Sequence, residues 1–270
     1  MPTPLAPMLA ADYHENLVTY PCFVQPKLDG IRAVWHDGRL WSRGLVGGVQ
    51  KVFSRNVLPH IYEALQKYNS LDGELYVHGW SLQRINSAAG VNRKTPTADS
   101  ALIQYHIYDV PDTTKSFEER FYYDFCVADS ELKNLIRVDT RQCLCKEGAT
   151  EYFKYWVTQC NYEGLIYRIG YNIYQSGARP ASLLRLKLWK DCIANVTGYY
   201  EGERRLKGTM GGVDVFSPEL NVSFKVGSGF TDKQRRLLWS SKPSLLSIKV
   251  RYERLTDGGV PYKPTLVEIL

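Results

Sequence analysis

From residue 189 to residue 270 the chain is cut into pieces too short to build a large sheet. IANVTGYY, GVDVF, NVSFKV, LLSIKVRYERL and TLVEIL follow one another at close spacing, with glycines at 208, 211, 212, 227, 229, 258 and 259 punctuating the region. Valine, isoleucine, phenylalanine and tyrosine suit a pleated, half-buried surface, while glycine-rich turns end each strand early. The pattern predicts a small antiparallel β-barrel over 189–270. It carries 13 Lys and Arg against 9 Asp and Glu, an excess of four out of the chain's +6. A compact basic barrel suits a polyanionic partner.

The first 188 residues mix strand and helix patterns. CFVQPKL and IRAVWHDGRLWSR read as strands, the second a hairpin turned at His36-Asp37-Gly38. Val57, Ile61 and Leu65 recur every four residues and predict a helix over 56–68. LDGELYV reads as a strand entered through a glycine turn, and LIQYHIYDV as another strand. Ser116 and Glu119 have capping-box spacing and open a helix through FEERFYYDF. A further helix is expected near 150–160, ending at NYEG before the strand LIYRI. The composition changes after LLRLKLWKD, which predicts two domains, 1–188 and 189–270, of α+β class with antiparallel sheets and flanking helices. A chain of 270 residues, 44% hydrophobic, has enough apolar surface for both cores.

Six cysteines, at 22, 126, 143, 145, 160 and 192, form no paired CxxC motifs, so free thiols in a reducing compartment are expected rather than a zinc site. The N-terminus lacks the basic and apolar regions of a signal peptide, and no segment reaches membrane-spanning length. The expected location is the cytoplasm, or a host's intracellular compartment for a viral source.

QPKLDGIRAVW, residues 25–35, crowds Lys27, Asp29 and Arg32 between two strands. Two readings stand: a charged hairpin on a solvated edge, or a lysine set up as a nucleophile. An ordinary lysine, with a pKa of about 10.4, is protonated at neutral pH. Nearby cations and partial burial disfavour the ammonium, and Arg32, Arg185 and Lys187 are candidate neighbours.

KLDGIR, WSRG, LDGELYV, HIYDV, EGLIYR and LLRLKLWKD occur in this order along the chain. Together they resemble the motif series of the ATP-dependent DNA ligases, a lysine-dependent nucleotidyltransferase family, in its small, minimal form. The resemblance implies a nucleotidyltransferase (adenylation) domain followed by an OB-fold barrel. It implies that Lys27 takes AMP, Arg32 and Arg43 bind phosphate, Glu74 accepts from the ribose hydroxyl, and Tyr108 stacks on adenine. Glu163 would bind metal with Glu74, Arg185 and Lys187 would meet the nucleotide's phosphate, and Asp29 would orient the 3′-end or metal. The implied cofactors are ATP and Mg2+, with Mn2+ as a substitute; the partner is nicked duplex DNA and the protein a monomer.

Two features depart from that pattern. Arg185 stands where the fifth motif has a lysine, and Tyr262 and Leu270 stand where C-terminal arginines are expected. No long insert separates VTGYY from GVDVF, so DNA grip is expected from the compact surface. The candidates are Lys51, Arg55, Arg93, Lys94, Arg204, Arg205 and Lys207, with Lys233, Arg235 and Arg236 as a further cluster. The alternatives are an RNA ligase, an mRNA-capping nucleotidyltransferase, or a degenerate relative that holds DNA ends without sealing them.

Overall fold

The computed structural model describes residues 4–46, 49–123 and 133–270. Cys126 and the end of FEERFYYDF lie outside the described residues. The chain divides into two compact units, Met1–Lys187 and Leu188–Leu270.

The first unit is built from two sheets. Its strands are β1 (Ala11–Asp12), β2 (Cys22–Lys27), β3 (Ile31–His36), β4 (Arg39–Val46), β5 (Val49–Val52) and β6 (Ser70–Tyr76). They continue as β7 (Gln104–Asp109), β8 (Leu135–Arg137), β9 (Arg141–Cys143), β10 (Gly164–Ile169) and β11 (Leu183–Lys187). A six-stranded sheet runs β5-β4-β3-β6-β7-β8 and a five-stranded sheet β1-β11-β10-β2-β9. Helices α1 (Pro59–Leu65), α2 (Leu82–Ala89) and α3 (Lys146–Phe153) accompany them.

Local chemistry explains most of these elements. The β3–β4 hairpin turns at Asp37 and Gly38, both with positive φ (50° and 69°), the conformation that a tight two-residue turn demands. Ser116 and Glu119 exchange cap bonds: the Ser116 backbone N–H donates to Glu119 Oε2 at 2.7 Å and the Glu119 N–H to Ser116 Oγ at 3.2 Å. Helix α1 starts at Pro59 rather than at residue 56, since proline is accommodated in a first turn but not further inside. Helix α3 starts four residues before the expected 150 and runs into a π-helical turn, Lys154–Gln159. Gly73 is no turn. It lies inside β6, where a Cβ would stand 2.5 Å from the His106 carbonyl and 2.8 Å from the Tyr105 ring.

Trp35, Leu40, Phe53, Ile61, Leu65, Leu75, Ile85 and Tyr105 form a buried core beside the six-stranded sheet. Cys22, Val24, Trp156, Leu165, Tyr167 and Leu184 form another around the five-stranded sheet.

The second unit contains β12 (Lys190–Glu201), β13 (Met210–Ser217), β14 (Val222–Val226), α4 (Asp232–Ser241), β15 (Ser247–Tyr252), the small pair β16 (Arg254–Leu255) and β17 (Pro261–Tyr262), and β18 (Thr265–Ile269). Its main sheet runs β14-β13-β12-β15-β18, a five-stranded antiparallel sheet that supplies the strands of the expected small barrel and does not close among the described residues. The edge strand β18 meets the segment after β14 through one isolated bridge, Ser228↔Thr265. Gly229 (φ +89°) lets the chain pass there, since a Cβ would stand 2.4 Å from the Leu266 carbonyl. One bridge does not extend into a ladder, and the sheet stays open.

Helix α4 was not expected from the strand-rich reading. Its signal was present in Thr231 and Gln234, a capping box in which the Gln234 N–H donates to Thr231 Oγ1 at 3.2 Å. Among the described residues no helix is long and apolar enough to cross a membrane.

Candidate active site

Lys27 ends β2, and strand register brings two other charged positions beside it. Its Cα partner on β10 is Gly164, whose own partner on β11 is Lys187. Gly164 is needed in this row, because a Cβ there would stand 2.1 Å from the Leu186 carbonyl. Glu163 enters from the residue before β10, its N–H donating to the Lys27 carbonyl at 3.1 Å. Its carboxylate lies between two ammonium groups: Oε2 accepts a short bond from Lys27 Nζ, and Oε1 stands 2.8 Å from Lys187 Nζ. All three side chains are largely buried. Burial alone would raise the Glu163 carboxyl, but Lys27 and Lys187 outweigh it and hold the group below its ordinary value.

A second cluster stands on the six-stranded sheet. Arg32 and Glu74 are Cα partners on β3 and β6. The Arg32 guanidinium makes a fork-shaped contact with Asp72, with Nε 3.0 Å from Oδ1, and stands 5.5 Å from the Tyr108 ring centre. Asp72 also accepts from the Tyr174 hydroxyl at 2.7 Å. Burial opposes the charge on Arg32, yet Asp72 holds it firmly protonated. The Tyr108 hydroxyl donates to Glu74 Oε2 at 3.3 Å. Burial pushes the Glu74 carboxyl from an ordinary 4.5 up to about 7, against the pull of Lys27 and Arg32. Lys27 and Glu163 act on Glu74 electrostatically, so the two clusters face one site.

Tyr108 owes its position to a bulge. Asp72 pairs with Asp109 and Gly73 with Ile107, leaving Tyr108 as an extra residue in β7. A bulge of this kind releases backbone groups from the ladder and re-aims a side chain.

The other expected site residues are more scattered. Asp29 lies in the turn between β2 and β3. Arg43 is exposed on β4. The Arg185 guanidinium turns to Asp12, 2.8 Å away on the exposed side. Lys51 donates to Asn92 at 2.7 Å, which brings it to the loop holding Arg93 and Lys94. Among the described residues, Arg93 Nε is buried there with no hydrogen-bond partner. Arg55 is exposed near the Tyr62 ring. Arg204, Arg205 and Lys207 are exposed, and Arg205 pairs with Asp232 at 3.1 Å. Arg235 is corrected from a surface grip to an interior group: its Nη1 donates to the Met210 and Gly211 carbonyls (3.0 and 2.7 Å) and its Nη2 to that of Gly227 (2.7 Å). Asp72 and Tyr174 were missed. Asp72 sits in the LDGELYV segment already singled out, but nothing near Tyr174 in the chain marks it.

The donor set suits a nucleotide with a hard cation. Lys27, Arg32 and Lys187 provide positive charge for phosphate, and Glu74 and Glu163 provide oxygen donors. Among the described residues no group of three or more His, Cys, Asp or Glu is placed to hold a metal. Two carboxylates fit magnesium, which keeps waters and shares its shell with substrate phosphates.

The chain was compared with known proteins. Residues 201–269 match the family model of the DNA ligase OB-like domain. A structure from a study of Lig E DNA ligases is similar over 98% of this chain and 99% of its own, at 24% identity and a TM-score of 0.80. The Chlorella virus DNA ligase–adenylate is similar over 98% of each chain, at 23% identity and a TM-score of 0.56. The ligase domain of M. tuberculosis LigD is similar over 98% of this chain and 95% of its own, at 18% identity and a TM-score of 0.54. No curated protein sequence matches. The chain therefore has the fold of these ligases, an α+β unit of mainly antiparallel sheets, with parallel pairs only at β1–β11 and β7–β8 among the described residues, followed by an OB-like unit.

Proposed function

We propose that this protein is an ATP-dependent DNA ligase that seals nicks in duplex DNA through a lysine–AMP intermediate. The observation that carries this reading is the Glu163 carboxylate held between Lys27 and Lys187, in a chain whose fold is that of DNA ligases. Residues 1–188 would transfer the adenylyl group and the basic 189–270 unit would hold DNA.

Attack on the α-phosphorus of ATP needs the neutral Lys27 amine, and Glu163 Oε2 is the carboxylate oxygen in contact with Nζ to receive its proton. The Nζ–phosphorus bond forms as the bond to the bridging oxygen breaks and pyrophosphate leaves. Lys187 and Arg32 supply fixed positive charge for the developing negative charge, where a partly dry site strengthens it. Glu74 accepts from the ribose, and Tyr108 offers its ring to the base. Glu74 and Glu163 would hold Mg2+, which when bound neutralises phosphate charge. The 5′-phosphate at a nick then takes the AMP, and the 3′-hydroxyl, oriented by Asp29, displaces it.

The DNA contacts in this reading are Arg43, Lys51, Arg55, Arg93, Lys94, Arg204, Arg205 and Lys207, made as sequence-independent phosphate contacts. The protein works as a monomer inside the cell, where ATP is available and its thiols stay reduced.

The test is incubation with ATP and Mg2+, mass spectrometry for an AMP adduct on Lys27, and sealing of a labelled nicked duplex. The wild type is expected to do both and Lys27→Ala neither. A folded wild type that forms no adduct sinks the reading; labelling by GTP in place of ATP turns it into a capping enzyme.

A further inference from the structure

The proposed site is divided between two sheets that share no strand: Lys27 and Lys187 on the five-stranded sheet with Glu163 just before its central strand β10, and Arg32, Glu74 and Tyr108 on the six-stranded one. Adenylyl transfer loses rate when the attacking group and the bound nucleotide are misplaced by as little as an ångström. The turn at 28–30 links β2 to β3, but among the described residues no backbone ladder joins the two sheets, so side-chain bonds complete the spacing between the two halves.

A small set of buried side chains makes the connection. Gln25 is two residues before Lys27 on β2 and therefore on the same face of that strand. Its Nε2 donates to the Tyr108 carbonyl at 3.1 Å and to Thr140 Oγ1 at 2.8 Å. Arg168 on β10 donates from Nη2 to the same Tyr108 carbonyl at 3.0 Å, and from Nε to Gln25 Oε1 at 2.9 Å. Its Nη1 bonds Asp109 Oδ2, and Arg120 holds Asp109 from the other side with Nε 2.8 Å from Oδ1. Gln25, Asp109, Arg120 and Arg168 are each at most 3% exposed.

The point of attachment is the bulged residue. Because Tyr108 stands outside the β6–β7 register, its carbonyl is open to bonds from the other sheet. Gln25 and Arg168 together supply two donors to that one oxygen, which fixes the peptide plane from which the Tyr108 ring projects.

We infer that Gln25 and Arg168 are positioning residues: they staple the bulged Tyr108 of one sheet to the Lys27 strand of the other and so set the distance between nucleotide and nucleophile. Neither residue touches the reacting atoms. The inference rests on the ligase reading, in which Tyr108 meets the base.

The experiment follows Lys27–AMP formation against ATP concentration in the wild type, Gln25→Met, Arg168→Lys and Ile61→Ala. Gln25→Met keeps the length and loses the donor; Arg168→Lys keeps the charge facing Asp109 and loses the planar fork. Both are expected to lower the rate of Lys27–AMP formation at saturating ATP about tenfold, more than they raise the half-saturating ATP concentration. Ile61, on α1 in the core beside the six-stranded sheet, is the stability control: Ile61→Ala lowers the melting temperature and leaves the rate at saturating ATP within about twofold. Should Arg168→Lys fail to fold, Gln25→Met decides alone. An unchanged saturating rate in folded Gln25→Met overturns the staple, as does a loss that Ile61→Ala reproduces at equal loss of stability. A wild type without any Lys27 adduct overturns the ligase reading and the staple with it, whereas an adduct-forming wild type with unaffected variants removes the staple only.

Discussion

The two units use charge in opposite ways. In the first, the charges around the candidate site are inside: Asp72 and Arg120 are fully buried, Asp109 is 1% exposed and Arg168 3%. In the second, most ion pairs stand in solvent, with Arg205 73% exposed and Lys225 69%, although Glu253, paired with Lys263, is only 9% exposed. Its buried charge is Arg235, satisfied by three carbonyls and no carboxylate among the hydrogen bonds it makes there. Buried pairs hold a fixed geometry at a heavy desolvation cost, and breaking one leaves an uncompensated charge. Exposed pairs add little stability, but their cations stay available to a polyanion. In the proposed reading, the difference separates a unit that holds reacting groups in place from one that presents charge.

Removing the common counter-ion tests the buried side most severely. Asp109→Ala leaves Arg120 and Arg168 without it and is expected to destabilise the first unit by about 3–5 kcal/mol, read from its urea transition. A loss below about 1 kcal/mol would place that cluster with the surface pairs and end the contrast.

Arg235 is the exception in the second unit. Arg235→Met leaves the Met210, Gly211 and Gly227 carbonyls without its donors and is expected to cost about 2 kcal/mol by thermal denaturation. The salt dependence of DNA binding should not change. A slope reduced by about one would make Arg235 a phosphate contact after all.

Glu74 gives the contrast a pH signature. Its carboxyl is raised in the folded protein to about 7, so between 4.5 and 7 the native state keeps a proton that the unfolded chain releases. Stability should therefore decline as pH rises through that window, by on the order of 1 kcal/mol per pH unit. Glu163, held below its ordinary value, acts with the opposite sign: its contribution is present above that value and lost as pH falls toward acid. Melting temperatures measured from pH 4 to pH 8 should lose the decline toward neutrality in Glu74→Gln and keep the acid limb.

The smallest effect belongs to the exposed pair. Arg205→Ala, which breaks the contact with Asp232, should change stability by no more than about 0.5 kcal/mol. If the second unit presents charge to DNA, the same variant lowers the slope of log affinity against log salt by about one. Weakened stability without a change in slope would make Arg205 a structural residue like Arg235.

What could be read in advance follows the range of the forces involved. The Asp37–Gly38 hairpin and the Ser116–Glu119 cap were legible because each depends on residues at most three apart. Helix α4 carried a similar signal in Thr231 and Gln234, but a glycine-rich, strand-forming context obscured it. Arg235 in the run KQRR has the composition of a solvated face, and nothing nearby announces three carbonyls waiting inside. The small barrel was legible in short β segments punctuated by glycine, whereas its closure depends on a long-range meeting of two edges that here produces one bridge.

By itself the sequence determined where strands start and turn, which lysine stands beside an Asp-Gly turn, where acids and bases of the right type recur, and which end of the chain is basic. These properties depend on neighbours along the chain. The tertiary structure decided which partner each charge receives: Glu163 between Lys27 and Lys187, Asp72 beneath Arg32, Asp12 for Arg185, and the Tyr108 carbonyl beneath Gln25 and Arg168. Those choices join residues 24 to 173 positions apart, and strand register and a single bulged residue set them. A one-residue slip would exchange the faces and dissolve every one of these pairs.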